Sequence, residues 1–395
     1  MKRALLLCTS HNDLGLIKAL RKLGYYIIAT GNQEGQPGER WVDEYIKADY
    51  SDKNLILDIA RDKKIDVICP CCNDFGVYTA AYVAEKLGLG DFDSYETTLT
   101  LHNKDKFKKF AQKHNIMTPA AHTYMDAQNA LKDIEGMQYP LIIKPTDASA
   151  GNGVCRVNNY QEAVMAVDGA FEKSKLKKIV VEPFIEGTQH GFCTFLINRK
   201  VVAYATNNEY SLLNPYRVEI DTYPADNWED VASLLIEQIE KMAELLQLKD
   251  GIFHLQYIYK DGTPWIIEVM RRVLGNMYSV PANMLTGMDW DYWEVRARCG
   301  VGCEGFPQMV TQEGFYAYKA IMSAGNGKIK SILIPDAYNK YIVSHFMVRK
   351  KGDIIQNCMK EPIGFLFMMF SSPEEMQRVL IDEYRCDFVE LEENT

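Results

Sequence analysis

The chain has 395 residues, of which 47% are hydrophobic and 25% are charged, and its formal net charge is −9. This composition is typical of a folded globular protein, and the length favours two or three packed lobes over a single core. The negative charge argues against nucleic acid or an anionic membrane as the main partner, so we expect a cytoplasmic protein that acts on small molecules.

The apolar runs are short, and the cysteines are not arranged as a metal site. The longest apolar run, 364–370, has the length of a strand and falls well below the roughly 18 residues of a membrane span. The run at 4–8 is too short for a signal peptide and also suits a strand. Ten cysteines include a cluster at 69–72 and the pair Cys299 and Cys303, but no histidine lies at a supporting spacing. We therefore predict buried thiols rather than a disulfide framework or a zinc site.

The first hundred residues alternate between strand and helix patterns. Strands are predicted at 4–8, 25–30 and 67–70, and helices at 14–23, 55–63 and 75–87. This alternation predicts a parallel sheet covered by helices on both faces. The turn at 9–12 lacks the glycine fingerprint of a dinucleotide site and offers only a helix N-terminus.

The rest of the chain combines helices with hairpins. Helices are predicted at 103–114, 161–171, 228–247 and 373–384, and strands at 139–144, 178–181, 193–197, 201–206, 253–259 and 265–270. The dipeptide Asp261-Gly262 predicts a tight turn between the last two of these strands. The helix at 103–114 carries several lysines, which taken alone would indicate a solvated face.

A lysine and a loop of small residues follow the strand at 139–144. Lys144 ends the strand, and the loop contains Ser149, Gly151 and Gly153. An ammonium group supplies a point charge, and glycines let the loop amides approach a phosphate closely. The pattern favours a phosphate site, although the two glycines equally suit the turn of a hairpin.

A short segment after the strand at 178–181 has the residue types of an adenine-binding edge. The backbone of Phe184 and Ile185 is suited to hydrogen-bond the ring edge, and Glu182 is suited to accept from the amino group. The same residues also fit an ordinary edge strand, which is the interpretation that the segment favours when it is taken alone.

The hairpin turned at Asp261-Gly262 places two oxygen ligands on apolar strands. A short turn there sets Gln256 and Glu268 opposite each other or one step apart. Because a buried glutamate is costly without a partner, and because magnesium takes oxygen ligands, the pair indicates a metal site. Arg271 and Arg272 follow directly, and an arginine beside a metal ligand is well placed to neutralise a transferring phosphoryl group.

Taken in order, these segments resemble the ATP-grasp superfamily, whose members include biotin carboxylase and the large subunit of carbamoyl-phosphate synthetase. The resemblance covers the whole chain. It implies a mixed α/β and α+β fold with an N-terminal parallel-sheet (pre-ATP-grasp) domain at 1–102, a two-lobed ATP-binding domain at 103–304 and a C-terminal lobe at 305–395. The small lobe of the central domain is expected at about 118–185.

The resemblance also assigns roles residue by residue. Lys106 and Lys144 match the two nucleotide lysines, and 146–153 matches the mobile loop that covers the phosphates. Gln189 falls where the family often has a ribose-binding glutamate. Glu182, Phe184 and Ile185 match the adenine-binding segment, Gln256 and Glu268 match the metal ligands, and Arg272 matches the catalytic arginine of a Glu-x-Asn-x-Arg signature. The asparagine of that signature is Met270 here, and a thioether is a poor magnesium ligand.

The implied reaction is activation of a small carboxylate by ATP and Mg²⁺ (or Mn²⁺), followed by attack of an amine on the acyl phosphate. Arg217, Glu219 and Arg271 are candidates for binding these substrates, although 217–219 also suits a plain surface loop. The alternatives are a nucleotide-binding regulator without turnover and an enzyme that uses formate or bicarbonate. A homodimer is compatible with the family, and the sequence does not decide it.

Overall fold

The N-terminal part is a parallel sheet wrapped by helices. The computed structural model describes residues 1–148, 151–310 and 313–392. The first elements are β1 (Arg3–Leu6), α1 (Leu14–Lys22), β2 (Tyr26–Gly31), β3 (Glu44–Lys47), α2 (Lys53–Asp62), β4 (Val67–Cys69), α3 (Asp74–Leu87), α4 (Tyr95–His102) and α5 (Lys104–Lys113). The four strands are parallel in the order β3-β2-β1-β4, which confirms the predicted parallel sheet. Leu5, Ile28 and Ile68 are fully buried between this sheet and its helices.

A small antiparallel sheet with two helices follows. Its elements are β5 (His122–Tyr124), α6 (Ala127–Ile134), β6 (Leu141–Pro145), β7 (Cys155–Val157), α7 (Tyr160–Lys173) and β8 (Ile179–Pro183). The strands lie in the order β5-β8-β6-β7, and the two helices share one apolar core with the sheet. Because β6 and β8 are adjacent, the predicted phosphate and adenine segments start from neighbouring strands.

A large antiparallel sheet forms the centre of the molecule. Its first elements are β9 (Thr188–Ile197), β10 (Lys200–Tyr210), β11 (Ile220–Tyr223), α8 (Trp228–Leu246), β12 (Gly251–Lys260), β13 (Thr263–Met270), α9 (Ser279–Thr286) and α10 (Trp290–Arg298). The C-terminal elements are β14 (Phe315–Ile321), β15 (Gly327–Ile332), α11 (Asp336–Asn339), β16 (Ile342–Met347), β17 (Ile354–Ile355), β18 (Gly364–Phe370), α12 (Pro373–Gln377) and β19 (Val389–Leu391).

The segment after residue 304 extends this sheet and also builds a small sheet of its own. The strand order is β13-β12-β9-β10-β11-β14-β18-β16, so β14, β16 and β18 continue the sheet that the central segment begins. A separate three-stranded sheet, β17-β15-β19, packs beside them. The division of the sequence at 304 therefore stays a prediction, since hydrogen-bonded strands run across it.

The hairpin of β12 and β13 has the predicted turn. Asp261 and Gly262 both have positive φ, at 49° and 79°, as a tight two-residue hairpin turn requires. A β-bulge between Gln256 and Tyr257 then shifts the register by one residue and sets Gln256 directly opposite Glu268, which confirms the expected juxtaposition.

Several elements have no strong pattern in the sequence. The strand β3 is four residues long and half polar, and α4 is rich in threonine, so neither shows clear periodicity. The predicted helix at 373–384 is present as two pieces, α12 and a π-helical turn at Arg378–Asp382.

All ten cysteines are free thiols, and four of them are buried. Within the described ranges, no helix is both long enough and apolar enough to cross a membrane.

Candidate active site

A cleft of about 320 Å³ lies between the small sheet and the hairpin of β12 and β13. Nine residues predicted from the sequence line it: Lys144, Gly151, Glu182, Phe184, Ile185, Gln189, Gln256, Glu268 and Arg272. Met270, at the signature position, and Ala148, in the predicted loop, also line it, together with Asp74, Lys104 and Tyr216, which the sequence did not single out. The cleft therefore collects most of the predicted nucleotide and metal residues in one place.

The lysine-rich helix α5 faces the cleft with Lys104, not with Lys106. The Nζ atom of Lys104 donates to Glu268 Oε1 at 3.0 Å and to the carbonyl oxygen of Ala148 at 3.1 Å. Lys106 lies on the outer face of the helix, paired with Glu96 at 2.9 Å. Two residues along a helix turn the side chain by about 200°, so the two lysines point in opposite directions. The structure therefore does not place Lys106 in the cleft as the sequence predicted, and Lys104 lies there instead.

Lys108, one turn after Lys104, is also directed inwards and is almost completely buried. Its Nζ atom lies 3.4 Å from Glu182 Oε2, and Lys144 Nζ lies 3.1 Å from the same oxygen. Burial lowers the pKa of Lys108 to about 8, although Glu182 acts against that shift. Burial alone would raise the pKa of Glu182, but the two lysines outweigh it and leave that pKa below its ordinary value. Glu182 is thus an ionised carboxylate that two ammonium groups hold at the edge of the cleft.

The predicted adenine-binding segment, Phe184 and Ile185, follows Glu182 along the chain. Phe184 and Ile185 line the cleft, and the Phe184 amide donates to the carbonyl oxygen of Pro140 at 2.9 Å. The guanidinium of Arg156 lies 4.4 Å from the centre of the Phe184 ring and holds that ring in place from the other side.

Gly151, in the small-residue loop, lines the cleft and lies against Tyr216. Gly151 has a φ of +71°, and a Cβ atom there would lie 2.5 Å from Tyr216 Cβ, so only glycine fits without displacement. The backbone amide of Arg156 donates to the Tyr216 hydroxyl at 2.7 Å. Gly153 packs against Pro145 instead of lining the cleft, and Ser149 lies outside the described residues.

The ligand pair of the hairpin lies in the cleft together with Gln189. Gln256 and Glu268 face each other across β12 and β13 and offer only amide and carboxylate oxygens as ligands, as magnesium prefers. Glu209, on β10, accepts from Gln189 Nε2 at 2.6 Å and from Gln256 Nε2 at 2.7 Å. Burial raises the pKa of Glu209, and the two amide donors act against that shift.

Arg272 is held in the cleft by an acid from the N-terminal domain. Its Nε atom donates to Asp74 Oδ1 at 2.7 Å, and its Nη2 atom lies 3.4 Å from the sulfur of Met270. His102 Nε2 accepts from the Arg271 backbone amide at 3.0 Å, so the proton of its ring lies on Nδ1, which donates to Asp74 at 3.0 Å. Burial would raise the pKa of Asp74, but Arg272 and then His102 outweigh it and bring that pKa well below its usual range.

Three predicted substrate residues lie outside the cleft lining. Arg271 alternates with Arg272 along the chain and points to the opposite side, where it is buried. Its guanidinium donates to Asp93 at 2.8 Å and to the carbonyl oxygens of Lys249, Gly251 and Ile252. The assignment of Arg271 to substrate binding is therefore wrong, because its donors are engaged in holding β12 and the loop before it.

Arg217 and Glu219 lie on the segment before β11. Glu219 is buried, and its Oε2 atom accepts from the Leu213 amide at 3.3 Å. Burial lowers the pKa of Lys319 to about 8, and Glu219 is the main charge acting against that shift. Neither Arg217 nor Glu219 lines the cleft, so the structure does not support Glu219 as an amine ligand there.

Comparison with known proteins finds a similar domain and a similar fold. Residues 102–214 match a family model described as the phosphoribosylglycinamide synthetase ATP-grasp (A) domain. The fold matches the crystal structure of an L-amino acid ligase from Bacillus licheniformis with a TM-score of 0.83, at 20% identity, covering 100% of this chain and 99% of that one. These matches identify an ATP-grasp domain at 102–214 and, over the whole chain, the fold of the solved ligase.

The curated relatives are larger than this chain. The large chain of carbamoyl phosphate synthase from Clostridium botulinum is 23% identical over 274 residues, which are 65% of this chain and 24% of that protein. Cyanophycin synthetase from Synechocystis sp. is 36% identical over 183 residues, which are 45% of this chain and 19% of that protein. The chain thus spans at most about a quarter of the length of these two relatives.

The residues that the sequence analysis missed share one feature, which is that their partners are distant in sequence. Lys104 shows the only usable signal, since helical spacing puts it on one face with Lys108. Asp74 is 198 positions from Arg272, and Glu209 is 47 positions from Gln256, so no local pattern announces either contact.

Proposed function

We propose that this ATP-grasp protein is an ATP-dependent ligase that activates a carboxylate as an acyl phosphate and couples it to an amine, with release of ADP and phosphate. The observation that carries the proposal is the meeting of Lys104, Lys144, Glu268 and Arg272 in one cleft whose other end is the edge at Phe184 and Ile185. Cations and a carboxylate at one end suit a metal-bound triphosphate, and the apolar edge at the other end suits an adenine ring.

Nucleotide binding is assigned within this cleft as follows. The adenine ring lies against Phe184 and Ile185, with its amino group towards Glu182, whose charge the two lysines keep in place. Lys104 and Lys144 bind the phosphates. Gln189 binds the ribose, since it lines the cleft on the strand between the adenine edge and the metal ligands.

Gln256 and Glu268 are the residues that would hold a divalent cation, Mg²⁺ or Mn²⁺. Both are oxygen donors that face the cleft, and Lys104 neutralises Glu268 in its place. When bound, such a cation neutralises the charge on the nucleotide phosphates. Met270 offers only sulfur where a further oxygen ligand would lie, so we propose one cation held by this pair.

Arg272 is the catalytic residue of the proposed reaction. The substrate carboxylate attacks the γ-phosphorus of ATP, the bond to the β-phosphate oxygen breaks, and ADP leaves. The neutral amine then attacks the acyl carbon, loses a proton to solvent, and phosphate leaves as the amide forms. Arg272 is permanently charged and is fixed by Asp74, so it can stabilise the negative oxygens of both steps without rearranging.

The loop that covers the cleft protects the activated intermediate. Its residue Gly151 lies against Tyr216 on one side of the cleft, and an acyl phosphate that is shielded from water is available to the amine. The likeness to proteins named L-amino acid ligase and cyanophycin synthetase supports an amine as the acceptor. The likeness to carbamoyl phosphate synthase supports bicarbonate as a further acid to be screened.

The decisive experiment is release of ADP and phosphate by the purified chain with ATP and Mg²⁺. Amino acids, other small carboxylates, formate and bicarbonate are tested singly and with amines. We expect release only with a particular acid and amine, together with an amide product detected by mass spectrometry. Glu268→Ala should abolish release, whereas Lys106→Ala, on the outer face of the same helix, should not change it.

A nucleotide-binding regulator without turnover is the second candidate, and Met270 is the observation that favours it. In that case ATP would bind, and no acid and amine would release ADP. Restoring the oxygen ligand by Met270→Asn separates the two. A true ligase already turns over before this change, whereas a regulator shows turnover only after it or not at all.

A further inference from the structure

Glu209 lies behind the two glutamines of the cleft and holds both of them through one oxygen atom. Its Oε2 atom is 2.6 Å from Gln189 Nε2 and 2.7 Å from Gln256 Nε2. Gln189 and Gln256 are on different strands, β9 and β12, and both line the cleft, whereas Glu209 is on β10. One carboxylate therefore fixes two side chains that belong to different parts of the proposed nucleotide site.

A glutamine amide has a donor end and an acceptor end, and only the acceptor end can bind a cation or accept from a hydroxyl group. A carboxylate oxygen only accepts, so both glutamines turn their NH₂ groups towards Glu209. Their carbonyl oxygens then face away from Glu209. Without a fixed partner, either amide can rotate by 180° and present an NH₂ group, which a cation repels.

We propose that Glu209 is a positioning residue that presents the amide oxygen of Gln256 to the divalent cation and that of Gln189 to the ribose hydroxyl groups. The inference rests on the proposed function for the location of the nucleotide and cation. It adds that a neutral amide serves as a ligand here because a half-buried carboxylate determines its orientation. Loss of such a supporting partner typically weakens metal binding by about 10-fold to 100-fold.

The strand register makes this reach possible. The strand β9 runs between β10 and β12, and its residue Gly191 pairs with Gln256 on one side and with Asn207 on the other. A Cβ atom at Gly191 would lie 2.3 Å from Asn207 Oδ1, so a side chain there would displace the polar side chains of β10. The missing side chain leaves the space that the Asn207 amide occupies, and Glu209 follows two residues later on the same strand, level with Gln189.

Asp221 provides a matched control for a purely structural role. It is buried on β11, directly opposite Glu209 in the register, and accepts from Asn207 Nδ2 at 3.0 Å. Among the hydrogen bonds of the described residues, none joins it to Gln189 or Gln256. Loss of its carboxylate disturbs the same part of the sheet but leaves both glutamines held.

The test measures binding of ADP by calorimetry, with and without Mg²⁺, and compares ADP with 2′-deoxy-ADP and 3′-deoxy-ADP. Glu209→Met removes the acceptor while keeping the length of the side chain. We expect the Mg²⁺-dependent gain in ADP affinity to fall about 10-fold or more and the preference for intact ribose to fall with it. Glu209→Gln keeps an oxygen that can accept from both amides, and Asp221→Leu leaves Glu209 in place, so both should retain binding within about 3-fold of the original.

A rescue variant separates orientation from general damage. Gln256→Glu has two equivalent oxygens, so it needs no partner to orient it. Combined with Glu209→Met, it should restore the Mg²⁺ dependence but not the ribose preference, because Gln189 stays unfixed. If Glu209→Met alone does not fold, the test uses the double variant Glu209→Met, Gln256→Glu and the single variant Glu209→Gln. Failure of either variant to bind ADP in the presence of Mg²⁺ counts against the inference.

The inference is overturned if Glu209→Met binds ADP with unchanged Mg²⁺ dependence and ribose preference, or if Asp221→Leu loses as much as Glu209→Met. These readouts need no turnover. A wild-type chain that binds MgADP but forms no amide would therefore refute the proposed ligase and leave the role of Glu209 open to the same measurement.

Discussion

The adjacent residues Arg271 and Arg272 should respond to the same substitution in opposite ways. In Arg271→Met, the buried Asp93 loses its bidentate partner, and three backbone carbonyls lose their donor. Removing one partner from a buried ion pair costs about 3–5 kcal/mol, a large fraction of the 5–15 kcal/mol by which a typical domain is stable. In Arg272→Met, Asp74 keeps the hydrogen bond from His102, so we expect a smaller loss of about 1–2 kcal/mol.

The effect on the proposed reaction should have the reverse order. Arg272→Met removes a cation from the reacting oxygens, and loss of one such group typically lowers kcat by about 100-fold to 1000-fold. Urea unfolding followed by tryptophan fluorescence gives the free energy of unfolding, and ADP release gives the rate. If Arg271→Met unfolds within 1 kcal/mol of the original chain but forms no product, the reasoning is refuted, and Arg271 acts in the site as the sequence suggested.

Three other predictions concern the cleft and its surroundings. Lys104→Ala should weaken ATP binding by about 10-fold to 100-fold, because a charge-assisted hydrogen bond contributes about 1.5–3 kcal/mol. Lys106→Ala should change the dissociation constant for ATP less than 2-fold. Equal effects of the two substitutions would reject the proposal that Lys104, and not Lys106, binds the nucleotide. His254 is buried without a hydrogen-bond partner on either ring nitrogen in the described chain, and burial lowers its pKa to about 3. The unfolded chain binds a proton below about pH 6.5 and the folded chain does not, so stability falls as the pH drops, by about 2 kcal/mol at pH 5. In His254→Phe, the free energy of unfolding should fall by about 2 kcal/mol less between pH 7 and pH 5 than in the original chain. If it falls by the same amount in both, other groups cause the pH dependence. Gly151→Ala should displace the loop and raise the ratio of ADP released to amide formed. Gly262→Ala, also at positive φ but with nothing within 4 Å, should leave that ratio unchanged. If neither substitution changes the ratio, the loop does not shield the intermediate.

The sequence predicted the parts of the fold that local rules determine. The turn at Asp261-Gly262 requires two positive φ values, which these residue types supply, and it brings Gln256 to within one step of Glu268. A β-bulge between Gln256 and Tyr257, which the sequence analysis did not predict, then sets the two side chains directly opposite. The β/α alternation of the first hundred residues predicted their parallel sheet for the same reason, since each element shows its own periodicity.

The wrong assignments involve side chains whose environment depends on distant elements. Position in a motif favoured Lys106, but helix geometry turns Lys104 inwards, where Glu268 attracts it. Arg271 and Arg272 are chemically identical, and only the positions of Asp93 and Asp74 show which one is structural. Since both acids come from the N-terminal domain, no pattern around the arginines distinguishes them.

The shared contact at Glu182 has a consequence for how this protein can change. The same carboxylate oxygen meets Lys108 at 3.4 Å and Lys144 at 3.1 Å. A substitution at Glu182 that favours another base would also release both lysines, one of which is proposed to hold phosphate. Base preference and phosphate handling are therefore not independent traits, and a switch from ATP to GTP would require coordinated changes at several positions. This coupling predicts that an evolutionary route to a new nucleotide passes through variants that bind every nucleotide poorly.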